Sequence, residues 1–492
     1  MVARTGMEEN ITEKEVQIHP EAANRNPTYG TQYYGTVAAT MGGLAMGTLL
    51  GYSSPAGPHL MASTNNRSRV LSNSTGQPLQ LSQAEYNWFS SSVTLGAAAG
   101  ALMGGLCINS IGRRGTMLIF FVPYLTGWAL VAAGGSFGMM VVGRVMSGVC
   151  MGITCVAVPT YIGEIASAEI RGVLGSGFQL MVTLGILMAY VTGAVVTSWT
   201  WLAAVCTLPT VVHAIMLCFT KESPTFFVSK GNTEEAVSSL QYFRGRHYDI
   251  MPELNIISKS LEEAKLNNAS IWDLLKPYNL KPLLICLSIL SFAQFSGITP
   301  VLFNLSTVFK DSGSKMSENA SAIIVAGVQV LATLVGALLM DKAGRRFLLA
   351  ISSGFMCVSV VSLGAYFYVK EQDSKWAVET LGWLPLTSLI IFVSAYSIGF
   401  GPTVWVLMGE LFSPEVKEAS ASIVTVVNWL TSFTITLTFL PLQTALGDYS
   451  AFWLFGGVCL LAFFFTLLLV PETKGKTLQE ITAQFGNRSS ID

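Results

Sequence analysis

Twelve predominantly apolar runs recur along the chain, near 34-56, 86-110, 116-137, 139-163, 173-197, 199-220, 280-309, 319-341, 346-369, 380-409, 419-443 and 449-471, separated by short polar breaks. Each has about the 20 residues that an α-helix needs to cross the hydrocarbon layer of a bilayer. Six precede and six follow one polar insert, 221-279. The pattern predicts an all-α membrane protein with two six-helix halves, 34-220 and 280-471. Within the insert, "ELNIISKSLEEAKL" has helical spacing, so short amphipathic helices are expected there; its aliphatic and aromatic content argues against a disordered linker.

Composition agrees with membrane residence. Hydrophobic residues make up 51% and charged residues 12% of the chain, with mean hydropathy +0.53, against about 25% charged residues in soluble domains. A formal net charge of −1 recommends neither nucleic acid nor a strongly charged partner, and no obligate protein partner is indicated. The eight cysteines sit in apolar runs without CxxC spacing and read as small buried hydrophobes, so no metal site and no cofactor is expected. Segment 1-33, with Glu8, Glu9, Glu13 and Glu15, has neither the basic start nor the short apolar core of a signal peptide and is expected to remain as a cytosolic tail.

Cations in short loops set orientation, because Lys and Arg are retained on the cytoplasmic side. Arg113, Arg114, Arg171, the insert, Lys342, Arg345, Arg346, Lys417, Lys474 and Lys476 fall on one side if the number of spans is even, which places both termini, including the tail 472-492, in the cytoplasm. The loop 57-85 is then outside, and its sequons at Asn66 and Asn73 are candidate N-glycosylation sites.

The charges repeat. "GGLCINSIGRR" ends in Arg113 and Arg114, and "GALLMDKAGRR" ends in Arg345 and Arg346. Arg171 follows Glu164 of "PTYIGE" by seven residues, as Lys417 follows Glu410 of "WVLMGELFSPEVK". Glu222 of "KESPT" and Glu472 of "PETKG" close the two halves. Together with "GYSSPA", "GRVMSGVCMG" and "GFGPTVWVLMGELF", these motifs resemble the sugar porter family of the major facilitator superfamily over about residues 36 to 485. The likeness is strongest to animal facilitative hexose transporters and arthropod facilitated trehalose transporters. Asn109, Thr225 and Glu418 depart from the pattern, where the family usually has Asp, Arg and Gly.

By that resemblance the protein is a multi-pass cell-membrane carrier of a small sugar, and Arg113, Arg114, Glu164, Arg171, Glu222, Arg345, Arg346, Glu410, Lys417 and Glu472 form a cytoplasmic gate that joins the halves when the carrier faces outward. A purely topological role for the bases is the plainer reading; recurrence of the acids with them favours the gate. Glycine ladders at Gly43, Gly47 and Gly51, at Gly96, Gly100 and Gly104, and at Gly148 and Gly152 mark close helix approach, whether as fixed packing or as a sliding surface.

A sugar path calls for discontinuous helices with polar groups near mid-membrane. Gly297 and Pro300 interrupt "FAQFSGITPVLFN", and Gly399, Gly401 and Pro402 interrupt "SIGFGPTVW". Nearby amides suit hydroxyls that both donate and accept, without the desolvation cost of a charge, and Trp offers a flat face to a sugar ring. Candidate substrate contacts are Gln179, Gln294, Thr299, Asn304, Trp405 and Asn428; helix-to-helix bonding is the alternative for each amide. Ala293 and Thr299 in "AQFSGIT" replace amides of the family's "QQLSGIN", so a substrate other than ordinary glucose, such as trehalose, is in view. Ser53 stands where proton-coupled members carry Asp, so facilitated diffusion is expected, with proton-coupled symport or a non-transporting sensor as alternatives. No HExxH, GxSxG or Walker motif supports an enzyme or an ATP-driven pump.

Overall fold

The structure is a computed structural model that describes residues 27–61, 80–266, 271–313, 316–412, 416–474, 476, 480 and 485. The sequons at Asn66 and Asn73 lie outside the described residues. The first span is Gly30–Gly51, prolonged by Ser53–Leu60. The second to sixth are Gln83–Ile111, Arg113–Ala133, Phe137–Ile165, Arg171–Val195 and Trp199–Cys218. The seventh is Pro277–Phe303, continued by Leu305–Ser312, and the eighth and ninth are Glu318–Ala343 and Arg345–Gln372. The tenth is Leu384–Leu411, and the last two are Lys417–Leu446 and Asp448–Leu469.

Among the described residues, eleven helices are long and apolar enough to cross a bilayer. The expected first span is the exception: it is long, but six glycines and four threonines lower its hydropathy. Its place in the bundle explains that composition. It packs against the fourth, fifth and sixth spans, so its surface meets protein and has no need of lipid-facing bulk. Between the halves, 224 to 275 forms the helices Pro224–Ser229, Thr233–Arg244 and Met251–Leu266 and a 3₁₀ turn, Ile271–Leu275. Ala236, Leu240, Ile250 and Leu254 make a small apolar core there, as amphipathic spacing requires.

Local signals place several helix ends. Ser82 opens the second span through a capping box, its Oγ accepting from Glu85 N at 3.3 Å while Ser82 N donates to Glu85 Oε2 at 2.8 Å. Ser136 and Ser317 cap the fourth and eighth spans, and Asp373 caps the helix Ser374–Leu381 that precedes the tenth, each by a side chain that accepts from a backbone N–H in the first turn. Gly112 and Gly344, at φ +89° and +92°, turn the chain at equivalent points before the two Arg-Arg pairs; that region of φ favours glycine.

The glycine ladders are contact surfaces between helices of one half. A Cβ on Gly47 would lie 2.0 Å from Val182 O, and one on Gly185 2.2 Å from Leu44 O, so the first and fifth spans touch backbone to backbone. Gly100 and Gly152 do the same for the second and fourth spans, at 2.0 Å from Val149 O and 2.1 Å from Ala97 O. Across the halves, the second span packs on the eleventh and the fifth on the eighth. The described hydrogen bonds between halves all lie far from the Arg-Arg turns: Ser306 N to Ser54 Oγ at 3.0 Å, the Ser54 and Ser306 hydroxyls to each other at 3.0 Å, Tyr190 OH to Leu302 O at 2.7 Å and Asn87 Nδ2 to Leu437 O at 2.5 Å. The halves are therefore stitched together at the end opposite the Arg-Arg turns.

Candidate functional site

The repeated charges form two matching clusters, one in each half. In the first, Arg113 Nη2 and Nε donate to Glu164 Oε1 at 2.8 and 3.1 Å, and Nη1 donates to Ile108 O at 3.2 Å. Glu222 receives the backbone N–H groups of Arg113, Arg114 and Gly115 at 3.0 to 3.1 Å, and Ser223 Oγ donates to Glu164. In the second, Arg345 Nη2 donates to Glu410 Oε1 at 2.8 Å and Nη1 to Met340 O at 3.1 Å. Glu472 receives Arg345 N and Arg346 N at 3.0 and 3.1 Å, and Thr473 Oγ1 donates to Glu410 Oε2 at 2.6 Å. Each carboxylate at the close of a half thus sits on the first turn of a helix, where free N–H groups and the helix dipole favour an anion.

The resemblance implied that these charges join the halves when the carrier faces outward; in this structure, whose bonds between halves lie at the opposite end, the described pairs Arg113–Glu164 and Arg345–Glu410 each lie within one half. Each arginine is anchored by its own backbone N–H to a carboxylate of its own half, which aims the guanidinium at the nearest helix end. Arg114 likewise donates to Leu217 O and Cys218 O at 2.8 and 3.1 Å, and Arg346 donates to Leu467 O. Exposed Arg171 donates to Ala166 O at 3.4 Å and meets none of the predicted acids; the side chain of Lys417 is outside what the structure describes.

Burial would raise the Glu472 carboxyl, but the backbone N–H groups of Lys474, Arg345, Arg346 and Thr473 outweigh it and hold the group below the ordinary glutamate range. A depressed folded-state value contributes stability that is present above the ordinary range and fades as pH falls through the folded value. Glu472→Gln is therefore expected to remove an acid-induced loosening step seen below the ordinary glutamate range. Thermal melts of the purified protein from pH 7 down to pH 3 would check this; identical profiles for parent and variant would contradict it.

The predicted substrate residues divide into two groups. The seventh span breaks at Gly297, with φ +87°, and the position requires glycine, because the Phe455 ring of the twelfth span lies 2.3 Å from where a Cβ would stand. Beside the break, Gln294 is buried; its Nε2 donates to Asn428 Oδ1 at 2.9 Å and its Oε1 accepts from Thr299 Oγ1 at 2.8 Å. Gln294, Thr299 and Asn428 are thus brought into one polar network across the seventh and eleventh spans. Asn304 stands at a second interruption and donates to Pro300 O at 2.9 Å. Trp405 follows the break of the tenth span at Gly399, where Ser352 Oγ donates to Ala395 O at 2.7 Å and accepts from Phe400 N at 3.4 Å. Gln179 and Trp405 are partly exposed, with no hydrogen bond described for either.

Arg144 was not singled out from the sequence, although a lone cation within the apolar run "GMMVVGRVMSGVC" was the signal for it. It is fully buried in the fourth span. Nη1 donates to Leu49 O at 3.0 Å and Nη2 to Ser53 Oγ at 2.7 Å, with the guanidinium 5.1 Å from the Phe89 ring centroid and 5.8 Å from that of Tyr52. Tyr86 OH donates to Ser53 O at 2.8 Å. The joint in the first span, between Gly51 and Ser53, is therefore held from the second and fourth spans, and the residue after it, Ser54, makes the contact to Ser306.

Two bundles of six spans, matching charge clusters and broken helices beside buried amides define a membrane carrier of the major facilitator class. The chain belongs to the family described as "Sugar (and other) transporter", whose family model matches residues 35–485. Its relatives include Facilitated trehalose transporter Tret1 of Polypedilum vanderplanki, 37% identical over 94% of this chain and 90% of the relative. Tret1 of Apis mellifera ligustica is 37% identical over 93% of this chain and 88% of the relative. Among solved structures, the proton:xylose symporter XylE bound to 6-bromo-6-deoxy-D-glucose aligns with TM-score 0.74 at 24% identity, covering 93% of this chain and 99% of that one. The inward open conformation of the xylose transporter XylE from E. coli also aligns with TM-score 0.74 at 24% identity, covering 92% and 100%. At that identity the likeness speaks to the fold.

Proposed function

We propose that the protein is a facilitative carrier of a neutral sugar, trehalose or a glucose-type sugar, working by alternating access in the cell membrane with both termini in the cytoplasm. The observation that carries the reading is the Gln294–Thr299–Asn428 network beside the Gly297 break. It presents neutral amide and hydroxyl groups, which can exchange their mutual bonds for those of a sugar with no charge to desolvate. Gln179, Asn304 and Trp405 complete the proposed substrate contacts. The two charge clusters, with Arg171 and Lys417 at the same helix ends, act as braces that keep each half rigid while the halves rock; with the charged ends cytoplasmic, the stitched end is the outer one. Uniport is favoured over proton symport because Ser53, the partner of Arg144, offers no titratable group.

Counterflow into proteoliposomes, comparing labelled trehalose with glucose with and without a pH gradient, tests the reading. Exchange of either sugar that ignores the gradient supports it, and gradient-driven accumulation or no exchange of any sugar in a wider panel opposes it. Gln294→Ala and Trp405→Ala are each expected to cut uptake about tenfold or more, as loss of about 1.4 kcal/mol or more of substrate interaction requires, with surface amounts unchanged. Full uptake by both variants would remove them from the site.

A further inference from the structure

We propose that a recess between the ninth and tenth spans seats one acyl chain of a phospholipid from the leaflet at the charged ends. The recess has a volume of about 250 Å³, with walls that include Ile351, Ser352 and Phe355 of the ninth span and Ile391, Ser394 and Ile398 of the tenth. Phe355 is 57% exposed, and Ile351 and Ile391 are 39% exposed each. The recess therefore opens outward between two membrane-crossing helices, and the medium it opens on is hydrocarbon.

Size, depth and chemistry agree on the occupant. At about 250 Å³ the space falls below the roughly 300–1,000 Å³ of pockets for drug-sized ligands and takes up part of a single chain. Ile351 and Phe355 lie six and ten residues beyond Arg345, or about 9 and 15 Å along the helix at 1.5 Å per residue. A phospholipid whose phosphate lies at the level of Arg346 brings the middle of its chain to that depth. Phe347, 56% exposed, stands one turn before Ile351 and continues the apolar stripe back to the charged end. The Ser352 hydroxyl is committed to Ala395 O and Phe400 N, which leaves a largely apolar wall with little to offer a hydrogen-bonding ligand.

The seat backs onto the joint of the tenth span. A Cβ on Gly399 would lie 2.3 Å from Ser352 Cβ, so Ser352 plugs the break on one side and the acyl chain lies against the same residue's helix face. Lipid in the recess thereby supports the segment that carries Trp405.

The test is photolabelling of the full-length protein in phosphatidylcholine liposomes with a phosphatidylcholine that carries a diazirine at mid-chain, followed by peptide mapping. Labelling concentrated on peptides within 345–372 and 384–398, and reduced at least fivefold there by Ser394→Phe or Ile391→Trp with labelling elsewhere unchanged, is the expected result. Two space-filling variants guard against misfolding of either one, and the readout requires no transport, so it stands apart from the assignment of the sugar. Labelling spread evenly over all lipid-facing spans, or unaffected by both variants, would overturn the proposal, as would displacement of the probe by cholesterol but not by excess unlabelled phosphatidylcholine.

Discussion

Replacing Arg144 with leucine is expected to abolish most sugar uptake and to lower stability by about 1–3 kcal/mol, the cost of leaving buried acceptors unpaired. A charged side chain buried within a spanning helix is costly, and Arg144 is fully buried about two turns into the fourth span, so the residue must be held by what it touches. Its two hydrogen bonds, to Leu49 O and Ser53 Oγ, bring about 1.5–3 kcal/mol each as charge-assisted bonds. The rings of Phe89 and Tyr52 add about 0.5–2 kcal/mol each. These contacts together offset the cost of placing the guanidinium in the bundle interior.

The loss of transport is expected to be larger, because the two bonds fall on either side of the Gly51–Ser53 joint and fix the angle at which Ser54 meets Ser306. Arg144→Lys is expected to fall between parent and leucine variant: an ammonium retains the charge but lacks the planar fork that reaches two acceptors at once. Uptake per folded molecule, with melting temperature in detergent as the companion measurement, decides the matter. Normal uptake by Arg144→Leu would mean that the joint needs no clamp.

Gly47→Ala is expected to unfold the protein or leave it barely assembled. The new Cβ would stand 2.0 Å from Val182 O and 2.8 Å from Gly185 Cα, and both are backbone, so no rotamer change relieves the contact. Overpacking costs about 1–3 kcal/mol where side chains can yield; here two helices must part, and the bond network at the Gly51 joint must follow. Gly175→Ala in the fifth span, the helix that Gly47 packs against, has nothing within 4 Å of its Cβ and should be neutral or slightly stabilising, since alanine is the better helix former by about 1 kcal/mol. The pair also separates the two readings of the glycine ladders. Fixed packing predicts a fall in melting temperature for Gly47→Ala; a sliding surface predicts a normal melting temperature with blocked uptake.

Much of the architecture was legible because the bilayer is a severe solvent. A helix must satisfy its own backbone across the hydrocarbon layer, so apolar runs translate directly into spans, and the observed helices fall on the expected runs. The first span shows the limit of the signal: hydropathy reports contact with lipid, and a helix enclosed by three others can be rich in glycine and threonine. The charge repeats were equally legible as chemistry, since acid and base recur in order, but their pairing was not. Arg113 could have reached a partner in either half; backbone donation to Glu222 orients it toward Glu164, and nothing in the spacing of 113, 164 and 222 encodes that choice.

The proposed sugar contacts divide along the same line. Gly297, Pro300 and the glycines near 400 announced broken helices from local backbone preference alone, and the amides beside them were visible as polar groups in apolar runs. That Gln294 bonds Asn428 and Thr299, while Gln179 and Trp405 stay partly open, depends on how the seventh span meets the eleventh across 134 positions of sequence. By itself the sequence determined the all-α membrane class, the order of its apolar crossings, the places where helices break and the residue types available for a neutral ligand, because these follow from local propensity and the cost of polarity in lipid; the carrier class came from the likeness of its motifs to a known family. Only the tertiary structure decided which charges pair, at which end the halves are stitched together and what Arg144 holds. Those outcomes rest on contacts between residues far apart in the chain, whose geometry is set by the packing of whole helices.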